Sequence, residues 1–315
     1  MDKIFDVLVV GELNADLIFN QIESFPQMGK EKLANKMSLT LGSSAAIFAS
    51  NLSALGVKVA FVAKTGNDVF GKLCTDLLNA KGVDTSMLIR SDDLQTGATV
   101  VLNFGDDRAM VTHQGAMSYL GPEDITKDML TIARHLHFSS YFLQPAFKGK
   151  LKSLFSLAKD AGMTTSLDVQ WDPAEHWDLD LMDILPYVDI FFPNESELLC
   201  LTRAASVESA LATLGETGKF IIVKQGRRGS TLCYNKRLFR GAPFINNAVV
   251  DAIGAGDSFN AGYVFKFLQA VPPEECQRFA NLMGAISTTA AGGTTAFSNY
   301  EETINIGKRV FGYEV

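Results

Sequence analysis

Cysteine is scarce: Cys74, Cys200, Cys233 and Cys276 are the four in 315 residues, far apart and with no C-x-x-C pair. That spacing indicates neither a zinc site nor a disulfide framework, and it suits scattered small core residues. Basic runs are missing as well. A net charge of −7 without a cationic cluster leaves no electrostatic footprint for nucleic acid or an anionic membrane, although one local basic pocket can still hold a phosphate. No apolar stretch reaches bilayer-spanning length, and Met1 is not followed by a basic segment and a long apolar run. The expectation is a cytoplasmic protein with no nucleic-acid or membrane partner. Internal repeats, low-complexity tracts and Pro/Gly/Ser linkers are absent too.

What is present is ordinary globular composition, 47% hydrophobic and 20% charged. The length suits one large α/β domain over 1–315, or a core with a small accessory. Phe5-Asp6-Val7-Leu8-Val9-Val10-Gly11 has the pattern of a central parallel strand buried on both faces. Residues 44–55 carry a helical stripe of Ala45, Phe48, Leu52 and Leu55, with Gly56 placed to cap it. Further strands are expected at 58–63, 136–139, 164–168, 188–192 and 220–224, and helices at 68–80, 147–161 and 207–214. Such alternation predicts right-handed βαβ crossovers and a doubly wound, mostly parallel sheet.

Two regions break the rhythm. Segments 16–20 and 31–39, with 97–104 and 109–113, alternate apolar and polar residues without intervening helices. They predict antiparallel ribbons outside the main sheet, forming a small β lid from insertions around 14–40 and 95–115. Exposed ribbon edges can pair between subunits, so a homodimer through the lid is expected.

After an extended stretch at 246–250, Asp251-Ala252-Ile253-Gly254-Ala255-Gly256-Asp257 precedes a helix with a stripe of Phe259, Tyr263 and Phe267. Small residues at a helix N-terminus let an anion approach free N–H groups and the positive end of the helix dipole. A carboxylate there can take a proton from an attacking hydroxyl. Taken alone, Asp257 equally reads as a first-turn capping acid. The segment resembles the C-terminal signature of ribokinase-like (PfkB) carbohydrate kinases, D-T-x-G-A-G-D, departing at Ala252. The resemblance implies Gly254, Ala255 and Gly256 as anion-hole donors, Asp257 as catalytic base, and Asp251 with the Ile253 carbonyl in a monovalent-cation site.

The resemblance extends along nearly the whole chain in family order. Asn14 and Asp16, after the first strand, are similar to the family's sugar-hydroxyl ligands. Leu41-Gly42-Ser43-Ser44-Ala45-Ala46 resembles the second substrate loop, G-G-x-x-x-N, with Leu41 and Ala46 departing from it. Gly42, Ser43, Asn103 and Gln144 join the substrate side. Phe104, His113 and Phe142 suit either a sugar pocket or an apolar wall for a base. Asn194-Glu195-Ser196-Glu197 resembles N-x-x-E, implying Asn194 near the phosphates and Glu197 holding Mg2+ through water. The same four residues also read as a capping box. Lys224-Gln225-Gly226-Arg227-Arg228-Gly229 resembles the nucleotide loop, with Lys224, Gly226 and Gly229 at ATP, and reads equally as a tight turn. Ser287, Ala290, Gly292 and Ala296 align with carbonyl donors of a potassium loop. Asp172, where several fructokinase-like relatives carry arginine, is poor company for a phosphorylated substrate and favours a neutral sugar or polyol, or else it caps the turn that Pro173 begins.

These resemblances imply an ATP-dependent phosphotransferase acting on a hydroxymethyl group of a sugar. No Walker A glycine-lysine motif occurs, so P-loop kinases are excluded as a guide. A nucleoside kinase of the same fold is the nearest alternative, and a non-catalytic sugar- or nucleotide-binding regulator is the alternative outside enzymes.

Overall fold

The run Val7 to Val10 can be buried only if both of its faces are covered, and that requirement sets the architecture. The computed structural model describes residues 3–104 and 107–314. The chain begins with β1 (Phe5–Val10), β2 (Asn14–Ile22), β3 (Ala34–Leu41), α1 (Ser44–Ala54), β4 (Val59–Val62), β5 (Lys64–Gly66) and α2 (Val69–Ala80). It continues with β6 (Ile89–Ser91), β7 (Gly97–Phe104), β8 (Asp107–His113), α3 (Lys127–Thr131), β9 (Ala133–Ser139), α4 (Leu151–Asp160) and β10 (Thr164–Asp168). Next come α5 (Leu181–Ile184), β11 (Ile190–Phe191), α6 (Glu195–Thr202), α7 (Val207–Leu214) and β12 (Phe220–Lys224). The last elements are β13 (Ser230–Tyr234), β14 (Arg237–Gly241), α8 (Ala255–Leu268), α9 (Pro273–Ser287) and α10 (Tyr300–Phe311).

Eight strands form the main sheet in the order β14-β13-β12-β11-β10-β9-β1-β4. From β4 to β12 all neighbours are parallel, and β13 and β14 add an antiparallel edge. Val7 and Val9 pack under Phe48 and Leu52 of α1, Val264 of α8 and Phe279 of α9. Leu8 and Val10 face the other way, toward Leu154 and Phe155 of α4 and Leu211 of α7. Successive strand side chains alternate faces, so a doubly covered sheet demands the unbroken apolar run seen in the sequence. Each fully buried phenylalanine among these contributes about 2 kcal/mol relative to exposure. Because the strands are parallel, their carboxyl ends share one edge, where loops and helix N-termini meet.

Polar residues interrupt the helix-covered face at β9. His135 and His137 are fully buried, and both imidazoles hydrogen-bond the Ser166 hydroxyl at 2.7 Å. The His137 ring stacks on Phe48 with centroids 3.7 Å apart. Burial holds His135 down to about 3, and burial, followed by the repulsion a protonated His135 or Lys224 would exert, holds His137 well below the ordinary histidine range. Both are therefore neutral when folded and take up protons only on unfolding. Stability is present above pH 6.5 and is lost as pH falls from there toward 3, by about 2 kcal/mol at pH 5 for His135 alone. Urea midpoints should fall between pH 7.5 and 5, and His135→Gln should flatten that slope; an unchanged slope in the variant would contradict this account.

The second sheet has four strands in the order β3-β2-β7-β8. Its outer pairs, β2 with β3 and β7 with β8, are antiparallel as expected. The two ribbons join through a parallel central pair, β2 with β7, that sets Asp16 opposite Thr99. Residues 105 and 106 of the second insertion lie outside the described residues.

Several boundaries differ from expectation. The helix expected from 147 starts at Leu151, because Pro145–Phe147 forms a separate 3-10 turn and Gly149 takes a left-handed φ of 71°. The strand expected over 188–192 shrinks to Ile190–Phe191. Residues 246–250 form no strand; Asn246 and the Val250 amide instead hydrogen-bond the end of α9 at Thr288. No helix among the described residues is long and apolar enough to cross a membrane.

Candidate active site

Most longer helices here start on a capping side chain: Ser43 for α1, Asp68 for α2, Asn194 for α6, Ser206 for α7 and Asn299 for α10. No side chain caps α8. Its N-cap, Gly254, is left-handed at φ 73°, and a Cβ there would lie 2.6 Å from the Gly293 Cα. Glycine is required on both counts. The Ala255 amide donates to the Ala252 carbonyl at 3.3 Å, and no side chain caps the rest of the first turn, where the helix dipole favours an anion.

Asp257 sits in that first turn, 6% exposed. Its Oδ1 accepts from Gln170 Nε2 at 3.1 Å. Burial first, and then the Asp168 charge, push its carboxyl well above the ordinary range. Asp168 ends β10 completely buried, and its Oδ2 takes Lys224 Nζ at 2.8 Å, Gln170 Nε2 at 3.0 Å and a donation from Asn260 on α8. Burial works against the Lys224 ammonium, but Asp168 and Glu197 more than offset it and hold its pKa above the usual value.

At the start of α6, Glu197 Oε2 accepts from the Asn194 amide at 2.8 Å and Oε1 from Asn194 Nδ2 at 2.6 Å. The reciprocal bond from the Glu197 amide completes the capping box. Burial, and then Asp168, push Glu197 up to about 7. Across the cleft, Asn14 Nδ2 donates to Asp16 Oδ1 at 2.8 Å and to Thr99 Oγ1 at 3.1 Å. Burial pushes Asp16 up to about 6. Gly42 adjoins this pair so closely that a Cβ would fall 2.2 Å from Asp16 Oδ1. Ser43 is spent locally: its hydroxyl donates to the Glu12 carbonyl at 2.6 Å and accepts from the Ala46 amide.

Two chambers result. A polar one of about 400 Å³ is lined by Asp16, Ser43, Ser44, Gln170, Asn194, Glu197, Lys224 and Gly254 to Asp257, with Ile47, Val101 and Met110 as an apolar wall. The other, about 380 Å³, lies between Gly226 and Gly229 on one side and Phe244, Ile245, Val249, Phe259 and Ala285 on the other. Gly226 and Gly229 have φ of 57° and 84°, and a Cβ on Gly229 would meet the Gly241 carbonyl at 2.1 Å. Beneath the polar chamber Asp251 accepts from the Ile253 and Gly292 amides, both at 2.9 Å, and Ser287 Oγ approaches the Ile253 carbonyl at 3.4 Å. Asp251, Ile253, Ser287 and Gly292 are therefore together, with Ala290 in the same loop. No cluster of three or more His, Cys, Asp or Glu suited to a metal occurs among the described residues.

Of the expected substrate residues, Asn14 and Gly42 adjoin Asp16 without lining the chamber, and two more lie farther off. Asn103 donates to Asn20 Oδ1 at 2.6 Å, since the parallel register puts Thr99, four residues earlier, beside Asn14. Gln144 is fully buried between two 3-10 turns and donates to the Ser139 and Ser140 carbonyls. Asp172 is likewise consumed, accepting from the Ala174 amide at 2.9 Å and the Trp177 amide at 2.7 Å. It caps a turn, so the inference of a neutral substrate drawn from it lapses. Phe104 packs on Phe25, Phe142 on Tyr141 and Trp177, and His113 is exposed.

Sequence reading missed Glu12, Thr99, Asn260 and the pairing of Asp168 with Lys224. Glu12 is buried with Oε1 accepting the Ser44 amide at 2.7 Å, so it secures the start of α1. A charged residue inside an otherwise apolar strand exit was the one available signal for it. Asn260 is one helical turn beyond Asp257, a spacing that places both on one face.

A polar chamber meeting an apolar one at an uncapped helix start, with a buried acid and a buried lysine at the junction, is the site of an enzyme that moves an anionic group between two ligands. The pfkB family carbohydrate kinase model matches residues 5–299. The chain is 30% identical over 282 residues to probable fructokinase-4 of Arabidopsis thaliana, covering 83% of this chain and 85% of that one. It is 25% identical over 310 residues to the nucleoside kinase of Methanothermobacter thermautotrophicus, covering 98% and 97%. The solved ribokinase of Arabidopsis thaliana complexed with ribose and ATP superposes with a TM-score of 0.83 at 25% identity, covering 96% of this chain and 98% of that one. The chain belongs to the pfkB family of carbohydrate kinases. It is an ATP-dependent kinase.

Proposed function

We propose that the enzyme transfers the γ-phosphoryl group of ATP to a hydroxymethyl group of a neutral sugar or polyol held in the polar chamber. The observation that carries this reading is the start of α8, which no side chain caps and which holds Asp257 in its first turn. Asp16 and Asn14 hold the acceptor's hydroxyls by accepting from them, the Asn14 Nδ2 hydrogens being committed to Asp16 and Thr99. Asp257 takes the proton of the attacking hydroxyl, and the amides of Ala255 and Gly256 receive the charge developing on the transferred group. Gly254 sets the turn. The adenine side of ATP occupies the apolar chamber against Gly226 and Gly229. Glu197, beside Asn194, would hold Mg2+ through water, and the ion would supply charge neutralisation at the nucleotide phosphates. Asp251 with the Ile253, Ser287, Ala290 and Gly292 backbone would hold a monovalent cation such as K+.

Acid residues support a neutral acceptor. Among the described residues, Asp16, Glu197 and Asp257 line the polar chamber against one cation, Lys224, itself paired with Asp168. Phosphorylated acceptors would meet unfavourable charge. A nucleoside acceptor is the second reading, favoured by the wall of Ile47, Val101 and Met110, on which a base can rest. ADP release measured over a panel of sugars, polyols and nucleosides decides between them. Turnover with a sugar or polyol and none with nucleosides is expected; saturable binding without ADP release would make the protein a regulator.

The reading extends to a homodimer through the lid, supported by exposed apolar side chains on its outer strands, Met37 and Leu39 on β3 and Val111 on β8. Light scattering should report twice the chain mass, and a purely monomeric solution would remove this element.

A further inference from the structure

The two chambers share five lining residues, Lys224, Gly226, Ala252, Ala255 and Gly256. Any group handed from one ligand to the other passes this neck. Four of the five offer it no polar side chain, and Lys224 is the one that brings charge. A Cβ on Gly256 would sit 3.5 Å from Lys224 Nζ, so the ammonium stands beside the first-turn amides of α8. Its side chain is 12% exposed and held from behind by fully buried Asp168 at 2.8 Å. Asn260 and Gln170 donate to the same Asp168 oxygen, which fixes the carboxylate and through it the lysine. This is more order than a solvent-facing ligand of nucleotide phosphates needs.

We propose that Lys224 is a catalytic residue, its ammonium contacting the phosphoryl group in flight, and that Asp168 is its positioning residue. The proposal rests on the phosphotransfer reading above. The acceptor oxygen bonds to the γ-phosphorus as the bond from phosphorus to the bridging oxygen breaks. The acceptor proton passes to Asp257, and the leaving electron pair stays on ADP. Lys224 keeps its proton throughout and offsets negative charge on the moving group, which the backbone amides beside it engage from the helix side. A fixed donor in a water-poor site costs no reorganisation as the charge develops.

Lys224→Met alone would strand the Asp168 charge, and removing one partner of a buried pair destabilises strongly. The informative protein is therefore Asp168→Asn/Lys224→Met, which removes both charges and keeps acceptors for Asn260 and Gln170. With an acceptor that supports ADP release by the parent, the double variant should keep the parental melting temperature within a few degrees. It should bind ATP with Mg2+ within about threefold of the parent, and its kcat should fall about 100-fold. Lys224→Arg, which retains the ion pair, should fold as the parent and fall between the two in kcat. If the double variant folds and its kcat is within threefold of the parent's, Lys224 is a structural counter-ion and the proposal is overturned. A loss confined to the KM for ATP overturns it too, making Lys224 a nucleotide ligand only. If Lys224→Arg has no more activity than the double variant, charge at the neck is not what matters and the proposal fails. A parent that releases no ADP with any acceptor sinks the phosphotransfer reading and this inference with it, an outcome distinct from the others.

Discussion

Asp257→Asn is expected to lower kcat about 1,000-fold while leaving the fold and ATP binding intact. The substitution is isosteric, and the remaining carbonyl can still accept from Gln170 Nε2, which now bonds Asp257 Oδ1 at 3.1 Å. What disappears is the capacity to take a proton. The change also removes one of two buried acids that repel each other, Asp168 being the second. A carboxyl whose folded pKa is raised weighs against folding once it is ionised, so stability is lost as pH rises through that pKa. The variant should thus be at least as stable as the parent at pH 8. The same raised pKa, caused by burial and then Asp168, places an acid limb in the parent's kcat/KM profile above the ordinary carboxylate range, with activity rising as pH rises. Calorimetric ATP binding, melting temperature and pH profiles measured together check all of this. Parental kcat in the variant would remove Asp257 as base, and a loss of ATP binding would make it a structural residue.

The second large effect is expected at a residue with no side chain. Gly42→Ala should reduce kcat/KM for the acceptor about 100-fold and leave the Kd for ATP within twofold. The new methyl would fall 2.2 Å from Asp16 Oδ1 and 2.6 Å from Asn14 Nδ2, so one of those side chains must move. Displacing an orienting group by about 1 Å is enough to cost two orders of magnitude. The apolar chamber proposed for ATP is lined by other segments and does not include Gly42. Steady-state kinetics with each substrate varied in turn separates the two effects. A loss seen equally in ATP binding would indicate general unfolding of the loop instead, and melting curves would show it.

How much was legible beforehand differs by element. β10, β12 and α7 were readable because a fully buried parallel strand or an amphipathic helix carries its signal in its own composition. α4 started late because Gly149, at φ 71°, turns the chain just before it. The lid's alternation was readable strand by strand, whereas its middle parallel pair was not, since pairing partners lie some 80 residues apart: Asn14 with Gly97. That single register explains why Thr99, and not Asn103, reaches Asn14. Gln144 and Asp172 are held away from the chamber for a related reason. Both follow strands at the functional edge, but local hydrogen bonds to backbone groups turn their polar atoms away from the chamber.

The amino-acid sequence by itself determined the layered α/β architecture, the glycine-marked helix start and the acid in its first turn, because burial periodicity, backbone permissiveness and helix dipoles act over a few neighbouring residues. Tertiary structure alone decided which charges meet. Asp168 and Lys224 are 56 residues apart and Asp168 and Asn260 are 92 apart, yet all three converge behind Asp257. Coulomb attraction and desolvation depend on distance in space, and only the assembled sheet, by bringing the ends of the parallel strands β10 and β12 to one edge, sets that distance.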